Sequence, residues 1–402
     1  MKFTQLPKNN ANEITLTSKK ISKNFDVEAL YHSTIGLPQH LSPFLDENWQ
    51  SSWIKALETP ISLVEFWLKK ERIGFAFIGI TKAFRFFPFK KALLNQSGIQ
   101  QQDQVWIECN DIICDEAHKS TCTTLLLKYI FKQPFLFRCE ASFLSSTTHW
   151  LNAAAHLGLN YERQNIPSYM HTFSERSLES AFSSNTRSQI RRAVKKANAE
   201  LGEISVSAAS TTALSDYFQQ LGALHIEQWA NTPEGSGFQN PQFILHHETL
   251  FTLAPERVRL LKVSAGTELI GFSYYLIHNK VAYFYCAGIN YSIVHKAIKP
   301  GYLLHYLAMR FFAEEGFTGY DFLGGDYRYK KSLSNHSYNF STLTFFSPRL
   351  LPRAIEKLNN LLKTCRRFIA KPNQIANEQL WLGSPPQSRF QVRRSRPPSL
   401  RQ

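Results

Sequence analysis

The stretch that decides the fold is KPGYLLHYLAMRFFAEEGFTGYDFLGGDYRYK, residues 299–330. A Pro-Gly turn opens a run of apolar residues with helical spacing. The chain then returns in a short apolar strand that ends in Gly324-Gly325-Asp326. Because the first N–H groups of a helix lack intrahelical acceptors, this turn predicts a binding site for an anionic group.

Three strand-like runs precede this stretch. VRLLKVSA (258–265), ELIGFSYYLI (268–277) and VAYFYCAGI (281–289) are rich in β-branched and aromatic residues, and short breaks separate them. The predicted order is three antiparallel strands, a helix and a fourth core strand. Cofactors of α/β layers dock where a strand leads into a helix.

The first half of the chain shows the same order of elements. Its predicted elements are a hairpin at 61–82, a strand at 104–114, a helix at 122–131, a strand at 134–141, a helix at 148–158 and an extended run at 161–173. The second half adds helices at 185–201 and 212–229 and a closing strand at 338–347. Because the order occurs twice, we predict an α/β chain of two duplicated domains, each with a mixed, largely antiparallel sheet flanked by helices.

Composition and charge set the domain limits. A chain of 402 residues with 43% hydrophobic residues is long enough for two packed cores. We predict a flexible leader over 1–25, an N-terminal domain over 26–175, a C-terminal catalytic domain over 176–350, and a basic amphipathic helix with a disordered tail over 351–402. Residues 349–402 carry 12 Lys and Arg against 2 Asp and Glu, or +10 of the formal net charge of +15. That segment suggests contact with an anionic membrane surface, an acidic polymer or RNA, with a solvated tail as the alternative.

Several classes of protein are excluded by the sequence. No apolar run approaches the ~18–20 residues that span a bilayer, and the polar N-terminus lacks the apolar core of a secretory signal. The six cysteines show no paired spacing, so we predict neither disulfides nor a metal site. We therefore predict a cytoplasmic location, with peripheral attachment to the inner face of the membrane as an alternative.

The turn before the long helix supplies the candidate cofactor residues. Pro fixes φ and Gly permits close backbone approach, so the following N–H groups can cradle a pyrophosphate, although an ordinary turn is the alternative. A backbone N–H near 286–288 is a candidate donor to a developing oxyanion. The predicted cofactor-binding residues are Lys299, Pro300, Gly301, Tyr302, Cys286 and Gly288.

Three residues are candidates for proton transfer. His225 lies one helical turn before Trp229 and can take a proton from an amine. Tyr285 can act as a general acid, and Lys330 lies just beyond the last core strand. For each the structural alternative is a packing or ion-pairing role.

Polar side chains near these positions are candidates for holding the acceptor. Arg191 lies on a basic helix face with Arg187 and Lys195. This face either binds an anion or is solvated without a ligand. A second group clusters at the end of the last core strand, where carboxylates can hold an amine or hydroxyl. The predicted substrate-binding residues are Trp229, Arg191, Asp321, Asp326 and Tyr329.

Taken together, four segments resemble the CelD-like (BioF-like) acetyltransferases of the GNAT superfamily, which are related to the Fem-type aminoacyl transferases. The segments are SNTRSQIRRAVKK (184–196), LHIEQW (224–229), the Pro-Gly helix, and YDFLGGDYRYK (320–330), with WIECNDII (106–113) fitting less specifically. The resemblance implies tandem GNAT-like domains and acyl transfer from acetyl-CoA or another acyl-CoA to a small-molecule or sugar-linked amine, often in cell-envelope or exopolysaccharide biosynthesis. The chain has Lys-Pro-Gly where many acetyl-CoA enzymes carry an Arg/Gln-rich glycine loop, which leaves the acyl donor open.

Two other functions remain as alternatives. A Fem-type enzyme would use aminoacyl-tRNA as the donor, which the basic charge of the chain favours. A non-enzymatic module would instead bind at a membrane through the basic C-terminal segment.

Overall fold

The computed structural model describes residues 13–39, 41–84, 87–232, 235–293 and 298–348. The strands are β1 (Ile14–Ile21), β2 (Ile61–Leu68), β3 (Glu71–Lys82), β4 (Lys90–Leu94), β5 (Ile113–Cys114), β6 (Leu136–Leu144), β7 (Asn160–Thr172), β8 (Ile204–Ala208), β9 (Val258–Ala265), β10 (Glu268–His278), β11 (Val281–Ile289), β12 (Gly319–Gly324) and β13 (His336–Phe346). The helices are α1 (Val27–His32), α2 (Glu47–Lys55), α3 (Gln100–Asp103), α4 (Lys119–Lys132), α5 (Thr148–His156), α6 (Ser184–Leu201), α7 (Leu214–Trp229), α8 (Pro241–Leu253), α9 (Pro300–Glu314) and α10 (Arg328–Leu333).

All the described strands belong to one mixed sheet. Twelve of them follow the order β1-β2-β3-β4-β6-β13-β7-β12-β11-β10-β9-β8, and β5 pairs with β3 beside this path. Among the described strands, the parallel pairs are β4 with β6 and β11 with β12. Each half thus runs through four antiparallel strands, a parallel neighbour and a final strand, which confirms the predicted class of duplicated, largely antiparallel α/β domains.

The two halves exchange their last strands. β13 lies between β6 and β7, and β7 lies between β13 and β12. The central pair β7–β13 is antiparallel from His336↔Met170 to Phe346↔Asn160. Residue 175, the predicted domain boundary, therefore follows a strand that is already hydrogen-bonded to the second half.

The predicted flexible leader is wrong over residues 14–21. These residues form β1, which pairs with β2 along its whole length, from Ile14↔Leu68 to Ile21↔Ile61. The two terminal isoleucines are buried, whereas the residues between them are mostly exposed, so the segment reads as polar although it is an edge strand.

The predicted strand at 104–114 is also mostly wrong. Only Ile113–Cys114 pairs as a strand, and Trp106 and Cys109 have positive φ angles of 46° and 48°. A non-glycine residue with positive φ interrupts a ladder. The predicted amphipathic helix and tail at 351–402 lie outside the described residues.

The sheet carries three apolar clusters. One is formed mainly by the first half and one mainly by the second, each completed by residues of an exchanged strand. The third joins both halves, with Trp49 and Phe75 from the first and Phe243 and Tyr274 from the second. Fully burying one such ring contributes roughly 1.5–3 kcal/mol. The shared cluster and the exchanged strands together make the two halves one packed unit.

Candidate active site at a fork between parallel strands

The two parallel strands of the second half separate after three residue pairs. Val281, Ala282 and Tyr283 of β11 pair with residues 319–321 of β12, and beyond Tyr283↔Asp321 the two strands have no described pairing. β11 also carries one extra residue, Tyr285, opposite β10, because Tyr274 pairs with residue 286 and the next residue pairs with 284. We call the opening between the two strands the fork.

Asp321 stands at the apex of the fork. Its side chain is buried and accepts hydrogen bonds from the Leu323 N–H at 2.7 Å and from the Tyr338 hydroxyl at 2.9 and 2.8 Å. Burial raises the pKa of Asp321 to about 6, although these hydrogen bonds and the charge of Lys330 act in the opposite direction. A carboxyl group with such a pKa can exchange a proton near neutral pH.

A buried lysine and a buried glutamate hold the backbone beside Asp321. Leu323 has a φ of 57°, which turns the end of β12 away from regular strand geometry. The Lys330 Nζ donates to the carbonyl oxygens of residues 322 and 324, both at 2.6 Å, and Glu108 accepts the Gly324 N–H at 2.8 Å. The irregular backbone is thus satisfied by charged side chains.

The charges of this group are balanced against burial. Burial lowers the pKa of the Lys330 ammonium, and the nearby Glu108 and Asp321 carboxylates raise it in part. Burial raises the pKa of Glu108, while Lys330 lowers it. Perturbed groups of opposite sign at one end of a core strand are typical of a functional site.

The sequence analysis missed Glu108 and Tyr338. Glu108 comes from the other half of the chain, 216 residues from the N–H that it accepts, so no local spacing links the two. The segment WIECNDII contains the only sequence signal, a glutamate among apolar residues, and we predicted a strand there. Tyr338 lies within a predicted strand, where aromatic residues are common and carry no functional signal.

Half-buried side chains form the rim of the fork. Burial raises the pKa values of Tyr283, Cys109 and Tyr338, and the charge of Asp321 raises them further, so each is neutral at physiological pH and lies near that carboxylate. Trp106, which packs against the shared core, is also partly exposed. The apex is therefore reached through a largely uncharged, aromatic mouth.

The predicted cofactor turn is the start of α9, the helix that follows β11. Lys299 has a φ of 51°, and its carbonyl oxygen accepts the N–H groups of Tyr302 and Leu303. Pro300 has no N–H, and among the described contacts the Gly301 N–H has no such acceptor. A Cβ added at Gly301 would meet only Ile289 Cδ1, at 3.6 Å, so among the described residues little crowds this Cα.

Positive charge lies beside this helix start. The Lys299 Nζ donates to Gln189 of α6 at 2.9 Å, and the Tyr302 hydroxyl contacts Ser332 of α10. Arg191 and Lys195 line an open groove of about 590 Å³ between α6 and α9. The helix N-terminus and these cations fit a phosphate-bearing ligand.

Other predicted residues on β11 face the shared core. The Tyr285 hydroxyl donates to the Val105 carbonyl at 2.8 Å and lies 3.2 Å from His247 Nε2. Cys286 is buried, which raises the pKa of its thiol. A Cβ added at Gly288 would lie 2.6 Å from the Leu221 carbonyl of α7, so helix packing requires this glycine. The roles predicted for these residues remain predictions.

His225 and Trp229 lie together on α7. The His225 Nδ1 is 2.8 Å from the Ser236 hydroxyl, and the two rings are 6.0 Å apart. Burial lowers the pKa of His225 to about 4, so the imidazole is neutral at pH 7. Both side chains are buried in the structure.

Asp326 and Tyr329 lie outside the fork. Asp326 is exposed, accepts the Tyr169 hydroxyl at 2.9 Å and pairs with Lys331 at 2.6 Å, which lowers its pKa. The Tyr329 ring stacks on His305 at 4.7 Å. Of the predicted site residues, the structure thus gathers Asp321 and Lys330 at the fork and sets 299–302 and Arg191 along α6 and α9.

A group with the spacing of metal ligands lies elsewhere. In the part of the chain that the structure describes, Glu28, His32 and Glu47 have ligand atoms within 4.8 Å of one another. They are on α1 and α2 of the first half and are mostly exposed. Nothing connects them with the fork.

Comparison with known proteins agrees with this geometry. Residues 184–331 match the family described as "Acetyltransferase (GNAT) domain", a segment that contains β11, α9 and β12. No curated protein sequence matches the chain significantly. Residues 184–331 of the second half therefore resemble a GNAT acetyltransferase domain, and the fold is a mixed α/β fold with GNAT-like domains.

Several solved structures are similar to the chain at low sequence identity. FemX has a TM-score of 0.51 at 12% identity, with 85% of this chain and 99% of FemX covered. The C-terminal domain of a putative lysylphosphatidylglycerol synthetase from Agrobacterium fabrum has a TM-score of 0.49 at 10% identity, covering 78% and 91%. A tandem GNAT protein from the clavulanic acid biosynthesis pathway has a TM-score of 0.42 at 9% identity, covering 82% and 98%. Of these three, only FemX exceeds 0.5, and its low identity shows a shared fold alone.

No helix among the described residues is both long and apolar enough to cross a membrane.

Proposed function

We propose that this protein is an N-acyltransferase that moves an acyl group from acyl-CoA to an amine at the fork between β11 and β12. The observation that carries the proposal is Asp321 at the apex, a buried carboxyl group whose pKa is raised to about 6. The family match over residues 184–331 supports the reaction class. The CelD-like subtype and a role in polysaccharide biosynthesis remain expectations from the resemblance.

The chemistry needs a base for the amine. An amine attacks a thioester as its neutral form, so a proton must leave the nitrogen before or during attack. Asp321 accepts this proton above pH 6, while Tyr338 and the Leu323 N–H fix the orientation of its oxygens. The nitrogen–carbon bond forms, the carbon–sulfur bond breaks, and the departing thiolate takes up a proton.

The protein also has to hold the donor in place. Acyl-CoA supplies the thioester, and the start of α9 would hold its phosphates through the Gly301 N–H and the charge of Lys299. Beyond residue 283, β11 has no described partner on β12, so its backbone groups are available to the acyl arm. Positioning of this kind supplies much of the rate in a reaction that forms no covalent enzyme intermediate.

The test is release of free CoA from acetyl-CoA and longer acyl-CoAs across a panel of amines, including amino sugars. We expect amine-dependent release by the wild type and loss of it in Asp321→Asn. Asp216→Asn, which changes an exposed carboxylate on α7, is the matched control and should retain full activity. Equal activity in Asp321→Asn and the wild type would refute the proposed base.

A second candidate donor is aminoacyl-tRNA, which the net charge of +15 favours. Filter binding of tRNA at increasing salt distinguishes the two donors. Tight binding that falls steeply with salt, without any response to acyl-CoA, would favour tRNA. A protein that responds to acyl-CoA and does not bind tRNA would exclude it.

A further inference from the structure

Two neighbouring turns of the first half expose phenylalanine side chains. Phe87, in the turn between β3 and β4, is 45% exposed, and Phe135, between α4 and β6, is 50% exposed. Each is next to a proline, Pro88 or Pro134. The Lys90 N–H donates to the Phe135 carbonyl at 2.8 Å, so the two turns form one surface.

Aromatic packing supports this surface from below. Phe84 stacks on Phe137 with ring centroids 5.2 Å apart and an interplanar angle of 19°, and Phe89 contacts the same ring at 5.7 Å. Phe87 lies 6.1 Å from Phe84. We call the five rings, Phe84, Phe87, Phe89, Phe135 and Phe137, the aromatic tip. The packed rings of Phe84, Phe89 and Phe137 thus support the exposed Phe87.

Unpaired lysines surround the aromatic tip. Lys82 and Lys90 face each other across β3 and β4, and Lys132 precedes the second turn; all three are exposed and have no ion pair among the described residues. Glu140, an acidic residue of β6, is already paired with Lys91 at 3.7 Å and with an arginine at 3.1 Å. The surface is therefore apolar at its centre and positive at its edge.

The end of β13, from which the basic C-terminal segment continues in sequence, lies beside this region. The Ser347 N–H donates to the Phe137 carbonyl at 2.7 Å, which places the end of β13 beside the aromatic tip. Residues 349–402, with a net charge of +10, continue from there. The last described residues of β13 thus lie beside the aromatic tip.

We propose that the aromatic tip inserts into the surface of an anionic lipid bilayer, with Lys82, Lys90 and Lys132 against the headgroups. Exposed apolar patches of this kind mark interaction sites. Lysine is depleted at protein–protein interfaces, whereas each lysine near an anionic bilayer is attracted to it, so the lysine edge favours lipid over a protein partner. This inference is independent of the fork and of the acyltransferase proposal.

The test is co-sedimentation of the full chain with vesicles of phosphatidylcholine alone or mixed with phosphatidylglycerol. Phe87→Ser/Phe135→Ser should lower partitioning into the mixed vesicles about tenfold or more at both low and high salt. Lys82→Gln/Lys90→Gln should lower it by a similar factor at low salt only, because salt screens the attraction. Leu245→Ser/Leu253→Ser, which removes two exposed leucines from α8, is the matched control and should bind as the wild type does.

The phenylalanine variant separates the aromatic tip from the basic C-terminal segment, because that segment is unchanged in it. Membrane binding that the phenylalanine variant retains at both salt concentrations would assign the contact to that segment and overturn the proposal. A wild-type protein that remains in the supernatant with both vesicles would also overturn it. If sedimentation velocity shows a dimer that the phenylalanine variant abolishes, the tip binds a second copy instead. Unchanged melting temperatures of the variants verify that they are folded.

Discussion

The two parallel strand pairs of this protein occupy equivalent places in its two halves, yet one is filled and the other is open. In the first half, β4 pairs with β6 over residues 90–93, nearly the full length of β4. In the second half, β11 pairs with β12 over three of its nine residues. The same succession of strands therefore leaves a fork in one copy alone.

The chain itself closes the first pair. The Asn110 N–H donates to the Phe143 carbonyl of β6 at 2.9 Å, and its side chain donates to the Leu94 carbonyl of β4 at 3.1 Å. Asn95 then donates to Asn110 at 2.8 Å and accepts the Phe77 N–H at 3.0 Å. Asn110 thus satisfies the backbone groups that diverging strands would otherwise leave without partners.

The difference indicates a division of labour. The segment that closes the first pair also sends Glu108 across to Gly324 and Val105 to Tyr285, so it forms one wall of the fork in the second half. In the first half the opening between the parallel strands is closed, and the segment that closes it supports the fork of the second half. A duplicated domain can in this way keep one active site and use the other copy as a rigid support.

The largest expected effect is on turnover at the fork. Asp321→Asn should lower kcat by about 10²–10⁴-fold, because an amide cannot accept the amine proton. Wild-type activity should rise as pH increases through about 6, where Asp321 loses its proton, and the residual activity of the variant should lack this limb. A pH–rate profile of both proteins measures this, and an unchanged limb in the variant would assign the titration to another group.

The corresponding change in the first half should affect stability instead. Asn110→Ala leaves the Leu94 carbonyl without its partner and removes one of the two acceptors of the Asn95 amide, which keeps the Asp111 carbonyl; the free energy of unfolding should fall by about 4 kcal/mol. Turnover per folded molecule should stay within about twofold of the wild type. Urea denaturation gives the first quantity and activity at low temperature the second. A large loss of kcat with normal stability would mean that the first half carries a reaction of its own.

The sequence predicts those parts of the two halves that depend on local patterns and misses those that depend on contacts between distant residues. The strands 258–289, the helix after Pro300 and the strand before Gly324 follow from periodicity and from the turn. These elements put Asp321 in the last core strand and Lys330 just beyond it, where the structure also has them. The closure of the first pair depends on Asn95 and Asn110, which read as loop residues. The strand exchange, Glu108 and Tyr338 depend on contacts between distant parts of the chain, for which a single sequence has no periodic signal.

A third effect concerns the free energy of folding that is lost when the buried Asp321 ionises. The pKa of Asp321 is raised in the folded state, so its contribution to stability is fully present below the unfolded value of 3.8 and is lost as pH rises through about 6. Two pKa units correspond to about 3 kcal/mol. The stability of Asp321→Asn relative to the wild type should therefore increase by up to about 3 kcal/mol between pH 4 and pH 7. Denaturation at several pH values measures it, and a constant difference would argue against a raised pKa.

The smallest expected effect comes from the residue that links the two halves. Glu108→Gln keeps an oxygen that accepts the Gly324 N–H, and burial raises the pKa of Glu108 to about 7, so Glu108 is mostly protonated while Asp321 titrates near 6. The activity limb near pH 6 should therefore move by less than about half a unit, and kcat should fall less than about tenfold. Glu108→Ala, which leaves the N–H unsatisfied, should be more severe in stability. A shift of the limb by about one unit or more in Glu108→Gln would contradict the proposed electrostatics.

The measurement that tests the account most directly compares the equivalent helix starts of the two halves. Gly301 is the second residue of α9 and Ser120 the second residue of α4, so Gly301→Asp and Ser120→Asp place the same charge at matched positions. A ligand that binds only the folded protein raises its melting temperature by mass action. With CoA or acetyl-CoA we predict a rise for the wild type and for Ser120→Asp, and none for Gly301→Asp. A rise that Gly301→Asp retains, or that Ser120→Asp abolishes, would contradict the assignment of the functional site to the fork of the second half.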